Sequence, residues 1–119
     1  MNTIGQQRSA YALDSVLSSE LRKDEGFANF TAGAPSMILQ NGLGQSMAFW
    51  LQKSKKQKKY EDLLEIVREW LKIQKIIIST DKKDFIKALS GLSQSKYLYA
   101  QKETLALLEW VKRYANAGL

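Results

Sequence analysis

The chain has 119 residues, of which 45% are hydrophobic and 25% charged, a length and composition typical of one folded domain rather than a disordered chain. It contains no cysteine and no histidine, which excludes disulfides, thiolate or imidazole metal sites, cysteine nucleophiles and Ser-His-Asp relays. The formal net charge of +6 favours polyanionic partners.

Apolar residues recur at helical spacing along most of the chain, and the sequence therefore predicts an all-α fold, a single domain over 1–119 built as a bundle of about five to six helices. The first predicted helix covers 5–22, and one stripe of it carries Ala10, Leu13, Leu17 and Leu21. The second is predicted to begin at Pro35, whose fixed φ suits a first helical turn, and to end at Asn41-Gly42.

Four more helices are predicted beyond Gly42. The third covers 43–53, the fourth covers 60–77, and a short fifth helix ends at Gly91. For 75–80 the adjoining isoleucines allow a strand as the alternative, but a short strand without a partner would be unsupported. The last helix covers 93–116, and its buried stripe is predicted to contain Leu98, Leu105, Leu108 and Val111.

Most of the positive charge lies in one stretch between the third and fourth predicted helices. Residues 1–52 carry three basic against four acidic residues, and residues 61–119 carry ten against eight. The remaining basic residues form a lysine run without carboxylates: Lys53, Lys55, Lys56, Lys58 and Lys59. Such a run attracts phosphates through counterion release. The alternative interpretation is a solvated loop or a frayed helix start.

The sequence offers little for catalysis. Asp81 and Asp84 are three residues apart, but helix capping explains this spacing better than acid-base chemistry. The three tryptophans lie at helical spacing and are expected in the core, although Trp50 is close to the lysine run. We therefore expect a protein that is not an enzyme and has neither metal nor cofactor. Without a membrane span or a signal-peptide pattern, we expect it in the cytoplasm.

The segment from Met37 to Phe49, followed by Lys53, resembles the hallmark segment of the small-subunit family of the Cmr complex, the type III-B CRISPR effector. Two further segments agree in order and spacing, 8–12 in the first helix and 103–115 near the end. Residues 55–95 carry little of the resemblance.

What the resemblance implies is an RNA-guided interference complex in which a guide RNA, held along RAMP-fold backbone subunits, pairs with invading RNA. Members of this family are small helical bundles without catalytic or metal-binding residues. They stack beside the backbone with copies of themselves and present basic residues toward the guide–target duplex. A scaffold that holds such a duplex needs phosphate contacts and no base-reading side chains, because base pairing supplies the sequence specificity.

Several residues correspond to the family pattern by position. Asn41 and Gln45 match its polar hallmark residues, Gly42 and Gly44 lie between them, and Lys53 matches its basic residue. The expected role of the Asn41-Gly42 pair is helix capping, and contacts to a neighbouring subunit or to RNA remain the alternatives. The other four lysines of the run have no counterpart in the family, so their RNA role is predicted from charge alone.

Three residues of the other matched segments are secondary RNA-binding candidates: Arg8, Lys112 and Arg113. Their alternative role is surface ion pairing, and Glu109 could pair with Arg113 one helical turn away.

Two other functions compete with the RNA scaffold. One is a free-standing basic helical regulator that clamps a nucleic-acid backbone, although no short helix offers an exposed face that would read base edges. The other is a structural interaction protein whose lysines are solvated and idle. The partners predicted first are the other subunits of the Cmr complex, copies of the chain itself, and guide and target RNA.

Overall fold

The computed structural model of the protein describes residues 2–119 and folds them into six α-helices without strands, which confirms the predicted all-α bundle. The helices are α1 (Ile4–Ser18), α2 (Glu25–Asn41), α3 (Leu43–Ser54), α4 (Lys58–Ile73), α5 (Lys82–Ser90) and α6 (Gln94–Ala115). Met1, which the predicted domain includes, lies outside the described residues. The radius of gyration is 13.3 Å, close to the ~13.5 Å of a compact chain of this length.

The core is formed mainly by α6 with α1 and α2 on one side, and by α3 with α4 on the other. Trp50 and Trp70 are buried in it, as predicted, and Trp110 is half-buried and stacked on Tyr114. The largest side chains that are fully buried include Phe27, Ile38, Leu43, Met47, Leu63, Leu71, Phe85 and Leu107. Within the described part of the chain, no helix is long and apolar enough to cross a membrane.

The inward face of α1 differs from the predicted stripe, and the helix ends four residues earlier than predicted. Ala12 and Val16 are buried, whereas Leu17 is 44% exposed. The inward face also carries polar side chains that find partners on other helices, for example Tyr11, whose hydroxyl donates a 2.7 Å hydrogen bond to the Ile66 carbonyl. The apolar stripe of α1 therefore does not coincide with the face that packs against the core.

The start of α2 corrects the prediction of a helix from Pro35. Asp24 caps the helix, because its carboxylate accepts a 2.9 Å hydrogen bond from the Phe27 amide. Pro35 is buried in the helix interior, where it deprives the Thr31 carbonyl of its helical donor. The buried residues of α2 are Phe27, Thr31, Ala34, Pro35 and Ile38. Because three of these are threonine, alanine and proline, the stripe gives a weak hydrophobic signal.

The end of α4 is also earlier than predicted, at Ile73. Lys75 adopts a left-handed φ of 61°, and the Ile76 amide donates to the Leu71 carbonyl at 3.0 Å, which closes the helix. Residues 74–81 form neither the predicted helical extension nor the alternative strand.

A buried arginine of α4 holds the loop between α4 and α5 in place. Arg68 donates a 3.1 Å hydrogen bond to the Ser79 carbonyl, and the Ser79 hydroxyl donates to the Asp84 carboxylate at 2.6 Å. Ile77 and Ser79 are buried, while Ile78 between them is 92% exposed. The loop is therefore held at fixed points on both sides of an exposed residue.

Helix α5 begins with the predicted cap. Asp81 accepts hydrogen bonds from the amides of Lys83 and Asp84, and the Asp84 carboxylate accepts one from the Asp81 amide, forming a capping box. Hydrogen bonds from the hydroxyls of Ser79 and Thr80 hold the pKa of Asp84 well below its ordinary value. The helix ends before Gly91, as predicted.

The boundaries of α6 agree with the prediction to within one residue at each end, but Leu98 is 55% exposed rather than buried. The buried face includes Thr104, whose hydroxyl donates a 2.8 Å hydrogen bond to the Ala100 carbonyl one turn earlier. A polar residue can occupy the core here because its hydrogen bond is made within the helix.

Candidate nucleic-acid interface

The lysine run forms the corner between α3 and α4. Lys53 lies in the last turn of α3, Lys55 and Lys56 lie in the three-residue turn, and Lys58 and Lys59 begin α4. Because the turn reverses the chain between two packed helices, all five side chains start from one end of this helix pair.

One lysine of the run is neutralised by a carboxylate outside it. The Lys58 ammonium lies 2.8 Å from the Asp62 carboxylate, and this hydrogen bond raises the pKa of Lys58. Asp62 also accepts a hydrogen bond from the Ser19 hydroxyl at 2.9 Å. Within residues 2–119, the ammonium groups of the other four lysines form no ion pair, and Lys55 and Lys56 are exposed.

Two lysines of the run lie over aromatic rings. The Lys53 ammonium is 5.6 Å from the centre of the Phe49 ring, and the Lys59 ammonium is 5.7 Å from that of Tyr60. The two rings contact each other edge-to-face with their centres 5.9 Å apart. An aromatic pair therefore borders the lysine run, and one of its members, Phe49, is 38% exposed.

Arg8 lies away from the lysine run and is engaged inside the protein. Its guanidinium donates two hydrogen bonds, of 2.8 and 2.7 Å, to the Glu103 carboxylate, which is 4% exposed and also accepts one from the Trp70 indole at 3.0 Å. The hydrogen bonds from Arg8 lower the pKa of Glu103, against the opposing effect of burial, and the same pairing raises the pKa of Arg8. This contact joins α1, α4 and α6.

Lys112 and Arg113 lie in the last turn of α6. Glu109 pairs with Lys112 at 3.3 Å, which is the surface ion pairing expected as the alternative for Lys112, whereas the Glu109–Arg113 pair does not form among the described residues. Arg113 is exposed and forms no ion pair within the described part of the chain.

Gly42 alone joins α2 to α3, and side chains of α6 cap the new helix. Gly42 has φ 83° and ψ 163°, a region of backbone space that is open essentially to glycine only. The amide of Leu43 donates to the Gln101 side-chain carbonyl at 2.8 Å, and the amide of Gly44 donates to the Tyr97 hydroxyl at 2.6 Å. The cap that Gly42 cannot supply thus comes from another helix. Tyr97 and Gln101 were not predicted, although their four-residue spacing places them on one face of α6.

Asn41 and Gln45 are exposed, and neither side chain has a hydrogen-bond partner among residues 2–119. The Asn41 side chain therefore caps neither helix. The end of α2 is closed by the Gly42 amide, which donates a 2.7 Å hydrogen bond to the Ile38 carbonyl. Both amides line a concavity of about 400 Å³ between α2 and α3, together with Met37, Ser46 and Phe49. We refer to these five residues as the α2–α3 pocket.

The acidic residues beside the lysine run serve structural contacts. Glu61 pairs with Lys82 at 3.1 Å, and Glu65 pairs with the buried Arg68 at 2.7 Å. Among the described residues, no group of three or more potential ligands could hold a metal ion.

Comparison with known proteins agrees with this architecture. Residues 4–118 match the family model described as CRISPR-associated protein (Cas_Cmr5). The fold is similar to the crystal structure of a CRISPR-associated Cmr5 family protein from Thermus thermophilus, with a TM-score of 0.75 and 23% sequence identity. The similarity covers 100% of this chain and 99% of that chain. At this level of identity, the structural likeness shows a shared fold.

Proposed function

The chain belongs to the CRISPR-associated Cmr5 family, the small subunits of the type III-B Cmr complex, and from this premise we propose that it is a non-catalytic, RNA-contacting scaffold. In this role it stacks in the cytoplasm beside the backbone subunits and further copies of itself. The lysine run faces the duplex of guide and target RNA. Target recognition is left to base pairing, and the subunit contributes charge and shape.

The observation that supports this proposal is the lysine run at the α3–α4 corner. Four of its five ammonium groups form no ion pair in the described chain, so they keep their charge available for phosphates. Lysines at a corner contact a backbone as point charges and do not fix a base sequence. This chemistry fits a subunit that must accept any guide sequence.

The secondary candidates contribute unequally to the proposal. Arg8 is bound to the buried Glu103, and leaving that carboxylate unpaired would cost stability, so Arg8 is better suited to fixing the fold than to binding RNA. Arg113 is exposed on α6 and stays a candidate for a second phosphate contact. Lys112 forms an ion pair with Glu109, which partly neutralises its charge.

A tagged pull-down from the native host tests the proposed assembly. Co-purification of RAMP-fold subunits with repeat-derived guide RNA, identified by mass spectrometry and sequencing, is the expected result. Recovery with double-stranded DNA and without those subunits would contradict it and would support the free-standing regulator.

The role of the lysine run is tested in the reconstituted complex by changing all five lysines to glutamine. We expect weaker binding of target RNA and a shallower dependence of affinity on salt, by about 0.7–0.9 in log–log slope for each phosphate that the variant no longer binds. If assembly and RNA affinity are both unchanged, the lysines are idle and the subunit is a structural protein only.

A further inference from the structure

The α2–α3 pocket combines three features that the proposed duplex contacts do not use. Its volume of about 400 Å³ lies within the ~300–1,000 Å³ range of small-ligand sites. Phe49, which is exposed, is the aromatic residue of its lining, and Asn41 and Gln45 contribute side-chain amides that have no hydrogen-bond partner among residues 2–119. Flat aromatic surface and amide groups together match the face and edge of a nucleobase.

The ring of Phe49 has two neighbours that limit its orientation. Its edge-to-face contact with Tyr60 fixes its orientation from one side, and the Lys53 ammonium lies 5.6 Å from the ring centre. Along α3, Gln45 lies one turn before Phe49 and Lys53 one turn after it, so the three side chains follow a single stripe. A base placed between Gln45 and the ring would have a lysine within reach of its phosphate.

The two amides can serve both kinds of hydrogen-bonding atoms on a base edge. Each amide has two N–H donors and one carbonyl acceptor, and amides of this kind pair with adenine through its N6 and N7 atoms. Asn41 and Gln45 lie on either side of the Gly42 junction, so the rigid joint between α2 and α3 sets the distance between them. Capping by Tyr97 and Gln101 keeps that joint in place.

We propose that the α2–α3 pocket binds one unpaired nucleobase of an RNA strand, stacked on Phe49 and hydrogen-bonded by Asn41 and Gln45, while Lys53 and the turn lysines hold the adjoining phosphates. The inference rests on the proposed RNA-binding function and makes it specific. The corner contacts a single-stranded or flipped-out nucleotide in addition to a duplex backbone. An aromatic surface beside lysines is the arrangement that single-stranded nucleic-acid sites use.

The isolated 119-residue chain tests this at low salt, with fluorescence anisotropy of a ten-nucleotide oligoadenylate and of an RNA duplex with ten nucleotides in each strand. Phe49→Leu keeps an apolar side chain against Tyr60 but removes the stacking face. We expect about tenfold weaker binding of the single strand and unchanged binding of the duplex. Phe49→Trp should restore single-strand affinity. Tyr99→Leu, which removes another exposed ring on α6, is the matched control and should change neither.

Photo-crosslinking shows which part of the chain contacts the base. RNA carrying a single 5-iodouridine is crosslinked to the chain by long-wavelength ultraviolet light, and the attachment site is mapped by mass spectrometry. A crosslink within the α2–α3 pocket supports the proposal, and a crosslink confined to other parts of the chain overturns it. The Asn41→Ala/Gln45→Ala variant should lower the preference for adenine over uracil oligonucleotides while the unfolding midpoint stays unchanged.

The outcomes separate this inference from the function on which it rests. If glutamine at the lysine run weakens RNA binding but Phe49→Leu does not, the RNA scaffold stands and the base pocket is wrong. If Phe49→Leu leaves RNA binding intact but blocks assembly with the other subunits, the α2–α3 pocket holds a protein side chain, which also overturns the inference.

Discussion

The Tyr97 hydroxyl on α6 lies 2.6 Å from the Gly44 amide, from which it accepts a hydrogen bond at the first turn of α3. A Cβ atom at position 44 would lie 3.1 Å from the same hydroxyl oxygen. The absence of a side chain at Gly44 thus allows the long side chain of Tyr97 to reach the helix backbone. The glycine at position 44 and the tyrosine at position 97 are therefore suited to each other, although 53 positions separate them in the sequence.

Replacing Tyr97 by phenylalanine should lower the free energy of unfolding by about 1 kcal/mol, because a helix-terminal amide loses its acceptor. Urea denaturation followed by circular dichroism measures the change. Tyr99→Phe, on an exposed part of α6, is the control and should stay within about 0.5 kcal/mol of the wild type. Equal effects of the two substitutions would show that the hydrogen bond to Gly44 is not what matters.

Acid should weaken the protein through Glu103. Its pKa lies below the ordinary 4.5 in the folded state because Arg8 and Trp70 donate hydrogen bonds to the carboxylate. The unfolded chain therefore binds more protons as the pH falls from about 4.5 toward the lower folded-state pKa, and stability is lost across that window. At neutral pH the contribution is fully present.

Glu103→Gln checks this assignment. We expect about 2 kcal/mol lower stability at pH 7 and a smaller loss between pH 7 and acid than in the wild type, measured by urea unfolding at both pH values. An unaltered pH profile in the variant would assign the acid sensitivity to other carboxylates.

The loop between α4 and α5 should depend on Arg68. Arg68→Met keeps a long side chain but leaves the Ser79 carbonyl without its buried donor, which should cost about 2 kcal/mol. Amide hydrogen exchange in 74–81 should speed up more than exchange in α6. Ile78→Ser in the same loop is the control, since Ile78 is exposed and its replacement should be nearly neutral.

The turn lysines should carry a measurable share of RNA binding. Lys55→Gln with Lys56→Gln should reduce the salt dependence of RNA affinity by about 1.4–1.8 in log–log slope if each lysine contacts one phosphate. Lys96→Gln with Lys102→Gln removes the same charge from exposed positions on α6 and serves as the control. Identical losses in the two variants would mean that net charge, and not the α3–α4 corner, governs binding.

Local sequence signals predicted the elements whose caps and breaks lie next to them in the chain. The Asp81 cap and Gly91 delimit α5, and Gly42 starts α3, so these boundaries were confirmed. The early start of α2 was missed because the predicted first turn was placed at Pro35, whose fixed φ suits that position, whereas the helix begins ten residues earlier, directly after the Asp24 cap. Asp24 is a local cap signal for this start, but the small and polar buried residues that follow it give little hydrophobic periodicity.

Part of the site could be predicted from local spacing. The lysine run could be recognised from charge, and the Asp62 partner of Lys58 and the Phe49 ring near Lys53 each lie four residues away in the same helix, within reach of a helical-spacing argument. The rest was harder to predict because it joins residues distant in sequence. The caps from Tyr97 and Gln101 have no local signal at all. The pairing of Arg8 with Glu103 likewise joins positions 95 residues apart.

The single-residue joint at Gly42 makes chain length as critical as residue identity at this point. Each residue of a helix turns its successors by about 100°, so one inserted residue would rotate the inward face of α3, with Met47 and Trp50, away from the core that receives it. A loop absorbs such a change, and a joint of one glycine does not. We therefore expect an inserted residue to be tolerated in the 74–81 loop but to prevent folding at Gly42. The length of this joint thus sets the rotation of α3 relative to the other helices of the bundle.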